Sequence, residues 1–143
     1  MLIPDVNILV LAHRPDLANG TAIGDWLRSQ LLENEPIGIP EPVWNGFLRI
    51  CTNPRIYPDP SPTSVALAFL DDIFSSGPAL RINPGDRHYQ IFSDLCRTSI
   101  VRGELVPDAY LAALAIETGA TFITMDRGFG RYPGLRWRHP LQT

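Results

Sequence analysis

The sequence predicts an α/β protein, a three-layer α/β/α domain around a central, mostly parallel sheet. Three observations predict it. Short apolar runs alternate along the chain with longer segments of helical spacing. The runs are apolar throughout rather than on alternate residues, as strands covered on both faces are. Prolines and glycines separate most of these segments, and 143 residues suit one domain.

Residues 2–5, Leu-Ile-Pro-Asp, read as a short buried strand ending at an aspartate, and residues 7–12 as the start of a helix. Residues 21–34 carry Ile23, Trp26, Leu27 and Leu31 at helical spacing. Residues 36–40 form an apolar run between two prolines, a second strand. Residues 42–52 place Val43, Phe47, Leu48 and Cys51 on one helical face, with a proline near the start. Residues 53–62 hold Pro54, Pro58, Pro60 and Pro62 and form a loop. Residues 63–75 form an amphipathic helix stopped by Ser76-Gly77-Pro78, residues 79–82 a strand, and residues 86–100 a helix. Residues 107–118 form a helix with Pro107 at its start, Asp108 in its first turn and Gly119 as its C-terminal cap. Residues 120–125 are a β-branched strand, and residues 135–137 a last short one. No repeat or low-complexity segment interrupts the order, so residues 1–143 are expected to form a single domain.

Composition removes several functions. No apolar run is long enough to span a bilayer, and the N-terminus carries no basic leader, so a cytoplasmic protein without a membrane anchor is expected. Two cysteines make no disulfide framework. All 12 basic residues are arginine. Without lysine the chain has no P-loop, no Schiff base and no pyridoxal site.

The acids are more informative. In open parallel sheets, ligands bind beyond the carboxyl ends of the strands. Asp5 ends the first strand, Glu41 follows the second, Asp126 follows the 120–125 strand, and Asp108 opens a helix that starts at the same edge. Grouped carboxylates raise one another's pKa, and a divalent cation relieves that repulsion. An all-oxygen donor set suits Mg²⁺ or Mn²⁺ rather than zinc. Each acid also has a simpler reading: Asp108 as a helix-start carboxylate, Asp126 as a turn former, Glu41 as an exposed side chain.

The opening IPDVNILVLA resembles the Asp-x-Asn start of PIN-domain nucleases. The stretch VPDAYLAALAIETGATFITMDRGFGRYPGLRW resembles the third and fourth acidic motifs of that family, and GFLRICTNPRIY resembles a segment of the VapC toxins of toxin–antitoxin pairs. The resemblance implies a metal-dependent endoribonuclease, with Asp5, Asp108 and Asp126 as catalytic acids and metal ligands, Asn7 as the supporting asparagine and Thr124 at a common Ser/Thr position. It also implies a VapB-like antitoxin, a homodimer and an RNA substrate. One position departs: where many members carry a glutamate before the Leu-Arg pair, this chain has Gly46, and Glu41 is the nearest replacement. Two other readings stand beside the toxin: a PIN-type nuclease outside toxin–antitoxin systems, and an RNA- or protein-binding module with a degenerate metal site.

The net charge of −3 is unusual for a nucleic-acid enzyme. Four of the 15 acids belong to the candidate site, however, and the other eleven nearly balance the 12 arginines. Arg127 and Arg131, next to Asp126, are the candidate phosphate contacts. His13, His88 and His139 are expected at the surface or in loops, Cys51, Cys96 and Trp26 in the core, and Ile56 and Tyr57 exposed for an interface.

Overall fold

In the computed structural model, which describes residues 1–142, the chain runs β1 (Leu2–Pro4), α1 (Val6–His13), α2 (Gly20–Leu31), β2 (Ile37–Pro40), α3 (Glu41–Cys51), α4 (Thr63–Ser75), β3 (Ala79–Ile82), α5 (His88–Thr98), α6 (Leu105–Thr118), β4 (Thr121–Ile123) and β5 (Trp137–Arg138). A 3-10 turn, Arg127–Arg131, lies between the last two strands. The five strands form one sheet in the order β3-β2-β1-β4-β5, and every neighbouring pair is parallel. The α/β expectation holds.

Burial explains the absence of alternation. All of β1 and β2 is buried, because helices cover both faces. Successive side chains point to opposite faces. Leu2 and Ile123 accordingly pack with Ile8 and Ile23, while Ile3 and Phe122 belong to the larger cluster with Phe47, Leu114 and Phe129. The edge strand β3 buries less, and Leu80 and Arg81 are exposed. Among the described residues no helix is long and apolar enough to cross a membrane.

Element boundaries differ from expectation in informative ways. The helix expected from Pro107 starts at Leu105, so Pro107 is its third residue; first-turn N–H groups have no intrahelical partner, and the missing one loses nothing. Gly119 caps this helix in the left-handed conformation (φ 67°), its N–H bonding Ile116 O. The strand expected over 120–125 is shorter, Thr121–Ile123; Thr124 N still donates to Arg138 O at 3.1 Å, and its hydroxyl is directed to Asp5. The last strand falls at Trp137–Arg138 rather than 135–137, since Leu135 is held in a turn by Tyr132 O.

Two histidines differ from the surface reading. His13 bonds Ser61 Oγ at 2.9 Å and packs against Phe47 and Phe69. His88 is buried, bonds Tyr110 O at 2.9 Å and stacks with Phe92. Tyr57 is half-buried under the Arg14 guanidinium, 4.5 Å from its ring centre, so only Ile56 of that pair is exposed. Cys51 is buried, Cys96 half-buried, and both are free thiols. Trp26 is half-buried against the core.

Candidate active site

The register of β1 and β4 pairs Pro4 with Ile123, so the residues that follow, Asp5 and Thr124, emerge side by side at the carboxyl edge. Asp5 N donates to Ile123 O at 2.8 Å and ends the ladder. The Asp5 carboxylate then caps α1. Its Oδ1 accepts from Val6 N at 2.7 Å. Its Oδ2 accepts from the Thr124 hydroxyl at 2.6 Å and from Asn7 Nδ2 at 3.2 Å. Thr124 Oγ1 in turn accepts from Asp126 N at 3.0 Å. Asn7 Oδ1 accepts from Met125 N at 3.4 Å. The two strand ends are thus tied together by side chains that also fix the site. Burial pushes the Asp5 carboxyl above its ordinary range; bonds from Thr124 and Val6 oppose this, and the Asp126 charge adds to it.

Asp126 is exposed and caps the 3-10 turn, with Oδ1 accepting from Gly128 N at 2.7 Å. Gly128 O accepts from Arg131 Nε at 2.8 Å. A Cβ on Gly128 would lie 2.9 Å from Asp126 Oδ1 and 3.1 Å from Arg131 Nη2. Glycine therefore leaves the room in which a carboxylate and a guanidinium sit together.

Asp108, in the first turn of α6, is half-buried and accepts no hydrogen bond among the described residues. Its carboxyl is pushed up to about 6, first by burial and then by the charges of Asp5 and Asp126; Arg131 opposes the rise and Glu104 adds to it. The three aspartates therefore share one electrostatic neighbourhood, with Arg131 at its rim.

The remaining candidates lie elsewhere. Glu41 is exposed, and its Oε1 accepts from Asn45 Nδ2 at 2.9 Å. After burial, its charge pushes the Tyr110 phenol up. Gly46 is buried, and a Cβ there would meet Val6 Cγ2 at 3.1 Å, so a side chain at this position points toward the start of α1 beside Asp5. Arg127 lines a separate hollow with Trp137, Arg138 and His139.

Three site neighbours escape the sequence reading. Glu104 precedes Asp108 by one helical turn, and that spacing is its only signal. Gly128 is legible only once the carboxylate above it is placed. Tyr132 donates from Oη to Leu105 O at 3.3 Å, its phenol pushed up to about 12 by burial and then by Asp108.

The donor set fits a hard cation. It is all oxygen, it carries unrelieved like charge, and Asp108 has no protein donor. Among the described residues no three Asp, Glu, His or Cys side chains stand close enough to enclose a metal unaided.

An all-parallel sheet with aspartates gathered at its carboxyl edge defines the class: residues 2–135 match the PIN domain, and the chain belongs to that family. It is similar over nearly its whole length to mycobacterial VapC ribonucleases. Identity to Ribonuclease VapC43 of Mycobacterium tuberculosis is 40% over 141 residues, spanning 99% of this chain and 96% of that one. Identity to Ribonuclease VapC31 of the same species is 36% over 140 residues, spanning 98% and 99%. Among solved structures, VapBC-1 from nontypeable Haemophilus influenzae shares the fold with a TM-score of 0.71 over 99% of this chain and 98% of that one, at 13% identity. VapBC2 from Rickettsia felis, bound to a promoter DNA fragment, gives 0.68 over 96% and 97%, at 19% identity.

Proposed function

We propose that this protein is a VapC-type toxin, a Mg²⁺- or Mn²⁺-dependent endoribonuclease. The observation that carries the reading is the placing of Asp5, Asp108 and Asp126 at the carboxyl edge, where burial first, and then the charges of Asp5 and Asp126, push the Asp108 carboxyl up to about 6. The similarity to relatives named ribonucleases supports it.

Asp5, Asp108 and Asp126 would hold the cation. Bound there, it supplies charge neutralisation at the scissile phosphate and makes an attacking water more acidic. Asn7 and Thr124 orient Asp5 through their hydrogen bonds. Asp108, which accepts no hydrogen bond among the described residues, would hold the cation or one of its waters and take a proton from that water. Arg131, fixed through Nε to Gly128 O, presents its remaining N–H groups to a substrate phosphate. Glu41, bonded to Asn45, has a weaker claim as a fourth acid.

The reading includes a VapB-like antitoxin, which the likeness to VapBC complexes supports. It also includes a homodimer and residence in the cytoplasm, which suits two free thiols. Purified protein is expected to cleave single-stranded RNA with Mg²⁺ or Mn²⁺ and to stop when a chelator is added. Cleavage that survives the chelator overturns the proposal. Growth arrest on expression, relieved by the product of the adjacent gene, separates the toxin from a PIN nuclease of another kind.

A further inference from the structure

A second hollow lies along the same edge of the sheet, and none of the catalytic aspartates lines it. Its lining is Glu41, Trp44, Arg81, Ile82 and Asn83, and its volume is about 590 Å³. Nucleotide-sized ligands occupy sites of roughly 300–1,000 Å³. The register of β2 and β3 pairs Pro40 with Ile82, so Glu41 and Asn83, the residues that follow, stand level at the carboxyl edge. Asp5 and Thr124 stand in the same way after β1 and β4. Because β2 adjoins β1 and strands are spaced about 4.8 Å apart, the hollow begins about 5–10 Å along the edge from Asp5.

The chemistry of the lining is that of a single-stranded nucleic-acid contact. Trp44 is half-buried, its base fixed against the core by α3, with part of the side chain left in the hollow. Arg81 is exposed and forms no ion pair or hydrogen bond among the described residues. Asn83 adds an amide with both a donor and an acceptor. An aromatic face stacks on any base, a guanidinium holds a phosphate, and an amide reads a base edge. The Glu41 carboxylate repels phosphate, so the backbone is directed to the Arg81 side and the base to Trp44. Asn45 already engages one Glu41 oxygen.

We propose that this hollow is a nucleotide subsite, in which Trp44 stacks on an unpaired base next to the cleaved bond and Arg81 holds its phosphate. The proposal rests on the ribonuclease reading above and names how the RNA strand leaves the aspartates.

The test is a titration of short random-sequence single-stranded RNA into the full chain, followed by tryptophan fluorescence and paired with cleavage kinetics. RNA should quench Trp44, and the quench should vanish in Trp44→Phe while affinity falls less than about three-fold. Trp44→Ala should weaken binding about ten-fold, raising KM with kcat nearly unchanged. Arg81→Gln should flatten the salt dependence of binding by about one phosphate contact. Unchanged affinity and KM in Trp44→Ala and Arg81→Gln, in a preparation whose unsubstituted protein cleaves RNA, overturns the subsite alone. The same result accompanied by altered self-association assigns the hollow to a protein contact and overturns it too. If the unsubstituted protein neither binds nor cleaves RNA, the ribonuclease reading falls and the subsite with it.

Discussion

Asp108→Asn should stabilise the metal-free protein at neutral pH while abolishing cleavage. The Asp108 carboxyl is pushed up from 3.8 to about 6. The folded state therefore binds the proton more tightly than the unfolded chain, so this group penalises folding increasingly as the pH rises from about 4 and fully above about 6. A displacement of this size corresponds to about 3 kcal/mol at pH 7. Asp108 is only half-buried, and solvent screening reduces the penalty to about 1–2 kcal/mol. Its place in the first turn of α6 returns about 0.3–1 kcal/mol that asparagine forfeits. The net expectation is a gain of about 1 kcal/mol at pH 7, a rise in Tm of about 2–4 °C. As the pH falls from 6 toward 4 the native carboxyl protonates and its penalty fades, so at pH 4.5 the gain should be about half as large or less. Urea denaturation of both proteins in chelator, at pH 7 and 4.5, checks this. Loss of stability at pH 7, or an equal gain at both pH values, would mean that the Asp108 carboxyl carries no such penalty in the folded protein. Added Mg²⁺ should stabilise the wild type more than the variant.

Three other substitutions probe the supporting residues. Gly128→Ala places a Cβ 2.9 Å from Asp126 Oδ1 and 3.1 Å from Arg131 Nη2; both are movable side-chain ends, so thermal melts should shift by less than about 1 kcal/mol, whereas cleavage rates should fall about ten-fold or more as Asp126 is displaced. Thr124→Val removes a buried hydroxyl that donates to Asp5 and accepts from Asp126 N; denaturation should show a loss of about 1–3 kcal/mol, with cleavage reduced as well. Glu41→Gln should leave Mn²⁺ affinity within about two-fold of wild type, because the exposed Glu41 carboxylate is engaged by Asn45 on its own helix; a ten-fold loss in a metal titration would assign it as a ligand.

Asp5, Asp108 and Asp126 are legible in the sequence because each sits where an apolar element ends or begins, and a parallel sheet sends all such points to one edge. The helix 63–75 and the strand 79–82 are legible to the residue, because Pro62 and Ser76-Gly77-Pro78 bound them. Positions set by tertiary contact are not legible. The Thr124 hydroxyl finds Asp5 across 119 residues. His13 and His88 are polar by composition, yet aromatic neighbours from distant segments enclose them. Arg127 and Arg131 look equivalent in sequence, but the 3-10 turn sends Arg131 to the aspartates and Arg127 to another hollow. Glu41 follows its strand as expected, but the side chain folds back to Asn45, one turn along its own helix.

Three aspartates distant in sequence are proposed to hold one hard cation for RNA hydrolysis. The most direct measurement is a calorimetric titration of Mn²⁺ into the wild type and into Asp5→Asn, Asp108→Asn and Asp126→Asn. Saturable binding by the wild type, weakened at least about ten-fold in each variant, is the predicted result. Equal affinity in all four proteins would place the metal elsewhere and rule out the aspartates as its ligands.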